Sequence, residues 1–349
     1  MSWRNYWRKR GAAFLLCGAL LASPAASAAP PFGFHEIARY KFGGDGGWDC
    51  LTVDADARRL YIARSNRVMV IDADSGALIG EVPDVQGAHG VVAVPGLKRV
   101  FATAGKTGEL VAFDMSSLQV TGRVNVGENP DIVLFDLFTH KLFVFNGKSE
   151  NVAIVDPATM KVEQSLVLGG KPEFAASDGV GRVFVNLEDK SEVAVLQTTG
   201  DKPTRILARY PLTPCEEPTG LAFLPKAKKL LVGCSNRTAV VVDAQTGKVL
   251  QHFKTGDGVD GAAFDAARGY GYVPAREGLL TVLREKHGKF AFAENVTTVK
   301  GSRTLAVDAR TGHVFLPAAQ FETPPITKAN PAPRATVVPG SFFVLVVGK

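Results

Sequence analysis

The chain has 349 residues, with 40 Lys and Arg against 34 Asp and Glu and a formal net charge of +6. Four of the basic residues, Arg4, Arg8, Lys9 and Arg10, fall in the first ten positions, so the rest carries 36 against 34 and is close to neutral. No Lys/Arg run interleaved with aromatics appears in that remainder, which argues against a nucleic-acid partner.

The N-terminal segment has the three regions of a secretory signal. A basic start with no acid before Glu36 leads into an apolar run from Gly11 to Ala22, then Pro24 and the small residues Ala25-Ala26-Ser27-Ala28-Ala29. Twelve apolar residues are too few for a membrane anchor, which needs about 20. Leu16, rather than a small residue, precedes Cys17, against a lipoprotein. Arg8-Lys9-Arg10 lacks a consecutive arginine pair, against a twin-arginine route. The expectation is Sec-type cleavage after Ala28, giving a signal over 1–28 and one domain over 29–349, periplasmic or secreted and without a membrane span.

Beyond the signal, a four-strand unit comes first. Leu51-Thr52-Val53-Asp54, Arg59 to Ala63 and Val68 to Asp72 are separated by turns, and Asp74-Ser75-Gly76 leads into a fourth strand at Leu78-Ile79. Its opening strand recurs at Val91 to Val94, Ile132 to Phe135, Phe174 to Ala176, Leu221 to Phe223, Ala262 to Phe264 and Leu305 to Val307. The residues just ahead of these strands are Asp49, His89, Asp131, Glu173, Thr219, Asp260 and Arg303, with spacings of 40, 42, 42, 46, 41 and 43. Seven near-equal units of this length indicate a radial all-β repeat. The opening strands are apolar throughout instead of alternating, as strands covered on both faces are. Together these features predict a seven-bladed β-propeller.

Third strands end in Asp before a turn, at Asp72, Asp156 and Asp243, where the side chain caps backbone N–H groups. These aspartates are read as structural. The last unit ends one outer strand short, and Phe34 to Lys41 is expected to supply it, so that both ends of the chain close one blade and remove an edge. The Pro-rich stretch Thr323 to Pro339 is read as a surface loop of that blade. Cys50, Cys215 and Cys234 remain after the signal. Cys215 and Cys234 flank a hairpin that returns to the same rim, so a disulfide is expected there, with Cys50 a buried thiol. No CxxCH or paired CxxC pattern is present, so neither covalent haem nor a structural zinc site is indicated, and the identity of any cofactor is left open.

The segments Leu51-Thr52-Val53-Asp54, Gly169-Gly170-Lys171-Pro172-Glu173-Phe174, Pro214-Cys215-Glu216-Glu217-Pro218-Thr219-Gly220-Leu221 and Val338-Pro339-Gly340-Ser341-Phe342 carry a family likeness. The repeat resembles the YVTN-type β-propeller family and is similar to bacterial periplasmic YncE-like proteins over nearly all of the chain beyond the signal. The resemblance implies the fold but no particular reaction, because propellers host many activities.

In a propeller the start of each inner strand and the end of each second strand share one rim of the channel. That rim is expected to gather Asp49, His89, Asp131, Glu173, Thr219 with Glu217 two places before it, Asp260 and Arg303 from the first position, with Arg64, Asn146 and Arg276 from the second. Such residues either cap strand ends and hold channel water or bind a small polar ligand, a metal ion or an extracytoplasmic protein. A binding module at the rim is the preferred function. The alternative is a lactonase-like hydrolase with His89 as base and Arg303 or Arg276 stabilising developing charge. No G-x-S-x-G elbow, sialidase Asp-box or HExxH accompanies it.

Overall fold

A computed structural model of the protein describes residues 33–199, 202–325 and 335–349. The expected signal over 1–28 and the middle of the Pro-rich loop, 326–334, lie outside them. Seven four-stranded antiparallel sheets form the seven blades of a β-propeller. Their inner strands are Leu51–Asp54, Ala88–Val94, Pro130–Asp136, Pro172–Ser177, Pro218–Leu224, Ala263–Asp265 and Ala306–Val307. Each inner strand packs beside the next, and Ala306–Val307 meets Leu51–Asp54 to close the ring. Among the described residues the only helices are the single turns Pro95–Leu97 and Glu188–Lys190. No helix there is long and apolar enough to cross a membrane.

Blade seven is closed as the sequence predicts. Its strand order runs from the N-terminal His35–Lys41 through Phe343–Gly348 and Val314–Ala318 to Ala306–Val307. His35 pairs with Gly348 and Lys41 with Phe343. The Pro-rich loop leaves and rejoins this blade through a two-stranded hairpin, Phe321–Glu322 with Thr336–Val337.

The core is seven apolar layers, one between each pair of neighbouring blades. Phe184 of blade four, for example, stacks on Phe223 of blade five with ring centroids 5.9 Å apart. Each such side chain contributes about 1.5–3 kcal/mol on burial, so the layers hold the disc together. Two-sided burial is strongest in the second and third strands, as in Lys141–Asn146 and Asn151–Asp156. Inner strands keep half-exposed positions because they line the channel, a refinement of the sequence expectation. Outer strands alternate, as at Lys161–Val167, because only one face is covered.

Candidate functional site at the channel mouth

The inner strands of blades two to five start with a break in register. Pairing slips between Ala88 and Val91, Pro130 and Val133, Pro172 and Ala175, and Pro218 and Leu221. The first residues inside these bulges are His89, Asp131, Glu173 and Thr219. A bulge leaves its extra residue outside the ladder and re-aims its side chain, here toward the channel mouth. Thr103 holds one of them in shape, accepting from Gly90 N–H at 2.8 Å and donating to the Asp131 carbonyl at 2.5 Å.

The ring brings most of the expected site residues together, blade by blade. Asp260 of blade six accepts a hydrogen bond from Arg303 Nε of blade seven. The Arg303 guanidinium also lies 3.7 Å from Asp49 of blade one. Asp49 Oδ2 is 2.5 Å from His89 Nδ1 of blade two, and His89 is 3.8 Å from Asp131 of blade three. Donor atoms of Asp49, His89 and Asp131 all lie within 4.8 Å of one another, the spacing of a potential cation site. Acid and base thus alternate from blade six to blade three. The alternation fails at Glu173 of blade four, a second acid beside Asp131, which Lys171 pairs at 2.7 Å while also bonding Glu188.

The charges show in the acidities. Burial raises the Asp131 carboxyl to about 7 and Asp49 pushes the same way, against His89. Burial also raises Glu173, to about 8, with Asp131 adding to it. Burial raises Asp260 to about 6, although Arg303 opposes it. His89 is raised by its hydrogen bond to Asp49 and by the charges of Asp131 and Glu173, against its burial. The histidine is therefore held toward its cationic form.

Four expected residues stand apart from this chain of charge. Arg64 is fully buried, donates to the carbonyls of Asp45, Gly46 and Gly47, and stacks 3.6 Å over the Phe342 ring. Asn146 is equally buried and bonds the Val126 carbonyl and Asn151. Both end second strands as expected, but their side chains turn into the wall and fasten the rim loops. Glu217 is exposed, and its backbone N–H bonds Ser191 Oγ at 3.3 Å. Arg276 is exposed, and its charge acts on Asp260 less than that of Arg303 does. Thr219, at the blade-five position, is buried and bonded to the Val259 carbonyl, so this blade brings no charge.

Two contributors were not foreseen as site residues. Lys171 supplies the missing counter-charge at Glu173 from two residues upstream, inside a segment noted only for its family likeness. Gly105 leaves room for the His89 ring, since a Cβ there would sit 2.8 Å from His89 Cδ2. A Gly at the end of a second strand is the signal that could have revealed it.

The chain matches no protein-family model and no curated protein. Among solved structures it is similar to the WD40 repeats of RRP9, with a TM-score of 0.72 and 9% identity over 90% of this chain and 98% of that one. It is similar also to U3-55K, with a TM-score of 0.72 and 9% identity over 89% and 98% of the two chains. Likeness at this identity establishes the seven-bladed propeller and nothing about ligands.

Proposed function

We propose that the protein is a binding module whose channel mouth takes a small cationic ligand between Asp49, His89, Asp131 and Glu173. The observation that carries this reading is the charge deficit: four carboxylates, Asp49, Asp131, Glu173 and Asp260, converge with only Arg303, His89 and a shared Lys171 to balance them. A cation seated there would relieve the repulsion that burial and neighbouring acids impose on Asp131 and Glu173. One imidazole with carboxylate oxygens suits a transition-metal dication better than magnesium, and such an ion would have to displace the proton that Asp49 and Asp131 favour on His89. A protonated amine also brings positive charge and is the other source of it. Within this reading the fold is a YVTN-like propeller, and the Cys215–Cys234 pair and the signal-like start support work outside the cytoplasm.

The hydrolase alternative needs His89 as a proton acceptor near neutrality. Its raised pKa beside Asp49 and Asp131 works against that role.

Thermal-shift titration of chelator-treated protein with Mn²⁺, Zn²⁺, Ca²⁺ and spermidine at pH 7.5 tests the proposal. A shift with at least one cation, lost in Asp131→Asn and retained in a distant variant such as Glu322→Gln, is expected. Absence of any shift, or shifts equal in both variants, would overturn it. Lactone turnover that disappears in His89→Ala would favour the hydrolase instead.

A further inference from the structure

On the opposite face, between blades six and seven, lies a cavity of about 510 Å³ with the reverse polarity. We propose that it is a second binding site, for a compact organic anion: a carboxylate carried on an aromatic ring.

Three observations carry this, and none involves the channel mouth. The first is size, which falls within the range of about 300–1,000 Å³ typical of small-molecule sites. The second is uncompensated positive charge. Arg268, Arg284 and Lys349 line the cavity, and no Asp or Glu does. Arg268 has Asp265 as its ion-pair partner at 3.0 Å and also donates to the carbonyls of Ala309 and Arg310. Arg284 donates to the Arg268 carbonyl, and Lys349 to the Tyr270 hydroxyl at 2.6 Å. Neither Arg284 nor Lys349 has a carboxylate partner among the described residues. The third is the Tyr272 hydroxyl, which is fully buried in the cavity wall and makes no hydrogen bond. A buried donor without an acceptor is rare in a native fold and calls for a partner. A carboxylate that enters supplies one when the hydroxyl, closed off in the free protein, opens to the cavity.

The walls set the kind of anion. The Phe34 ring packs edge-on to Tyr270 and Tyr272, with centroids 5.0 and 5.8 Å away. The Arg284 guanidinium stands 4.3 Å over the Tyr270 ring, and the Lys349 ammonium 4.4 Å over it. These stacked cations are oriented by the ring, Arg284 half-buried and Lys349 exposed, and neither is paired with an Asp or Glu. A ligand pairing a carboxylate with a flat apolar ring uses both features, whereas inorganic phosphate uses only the charge. Burial raises the Tyr272 phenol, so it meets the anion as a neutral donor.

Calorimetric titration of the full chain with benzoate, benzamide and inorganic phosphate tests the site. Benzoate is expected to bind at least tenfold more tightly than either of the others. Arg284→Gln should weaken benzoate tenfold or more. Tyr272→Phe should weaken it several-fold without lowering the melting temperature of the free protein, since the hydroxyl it removes has no partner to lose. Asp131→Asn should leave benzoate binding unchanged, which separates this site from the channel mouth. Benzamide binding as well as benzoate, or benzoate affinity unaltered in Arg284→Gln and Tyr272→Phe, would overturn the proposal. Phosphate binding as tightly as benzoate would overturn the assignment to an aromatic anion.

Discussion

Asp131 has more carboxylate neighbours than cationic ones, and pH should therefore act on it in a definite direction. Its folded pKa of about 7 lies above the ordinary carboxylate value, so the folded state holds the proton longer than the unfolded chain does. The stability that comes with this is complete below about pH 4 and disappears as pH rises through 7. Glu173 at about 8, Asp260 at about 6 and the raised His89 have the same sign. The melting temperature of metal-free protein should accordingly fall between pH 5 and 8. Asp131→Asn should flatten that fall and stabilise the protein at pH 8 by about 2 kcal/mol, with little effect near pH 4.5. Denaturant titrations at both pH values would measure it, and parallel curves for both proteins would refute it. Cys50 gives a second check at this scale. Its thiol is buried and pushed well up, by burial first and then by Asp49 and Asp131. A thiol reagent should label it only after unfolding.

At the scale of the strand and turn, the blades are fastened to each other by repeated devices. Arg99 reaches the Pro157 and Ala158 carbonyls, Arg182 the Ala244 carbonyl and Lys229 the Gly288 carbonyl, each at the start of a second strand and each crossing to the next blade. Outer-strand tyrosines do the same. Tyr40 donates to the Asp74 carbonyl at 2.9 Å and Tyr210 to the Gln245 carbonyl at 3.0 Å. The tyrosine ring lies on the glycine of an Asp-x-x-x-Gly turn, and a Cβ on Gly76 would come within 2.3 Å of Tyr40. Gly76→Ala should then cost about 1–3 kcal/mol more than Gly179→Ala, which shares a positive φ but has open space around it. Urea midpoints for the two variants decide it. The aspartates of these turns cap backbone N–H groups as the sequence indicates, Asp72 serving Asp74 and Ser75 and Asp243 serving Gln245 and Thr246. Such local features are legible because they recur at a fixed period. Arg64 and Asn146 were harder to read, since strand position fixes the face of a residue but not whether a long side chain turns to the channel or to a loop carbonyl.

Over the whole molecule, the seven units follow from spacing, and the shared last blade from the outer strand that the last unit lacks. The acidic channel mouth is largely legible too, since ring closure brings equivalent positions of every unit to one place. The cavity between blades six and seven was not, because Phe34 and Lys349 come from opposite ends of the chain to meet Arg268, Tyr272 and Arg284 of blade six, and the repeat does not fix which side chains meet there. The Cys215–Cys234 pair, with Cα atoms 5.5 Å apart and a sequence separation of 19, has disulfide geometry and lies within blade five and its rim loop. Replacing both cysteines by alanine should lower stability by roughly 3 kcal/mol while leaving the ring intact. A denaturation midpoint unchanged by the double substitution would show that the crosslink adds nothing.

The pairing of His35 with Gly348 also gives the propeller a mechanical weak point. Tension applied through these neighbouring residues would load the hydrogen bonds of the His35–Lys41 and Phe343–Gly348 ladder one after another, as in unzipping, and never all at once as in shear. Blade seven should peel open at low force, and the other six blades should then come apart from a freshly exposed edge. Moving the pulling points to opposite ends of the same two strands would turn the clasp into a lock.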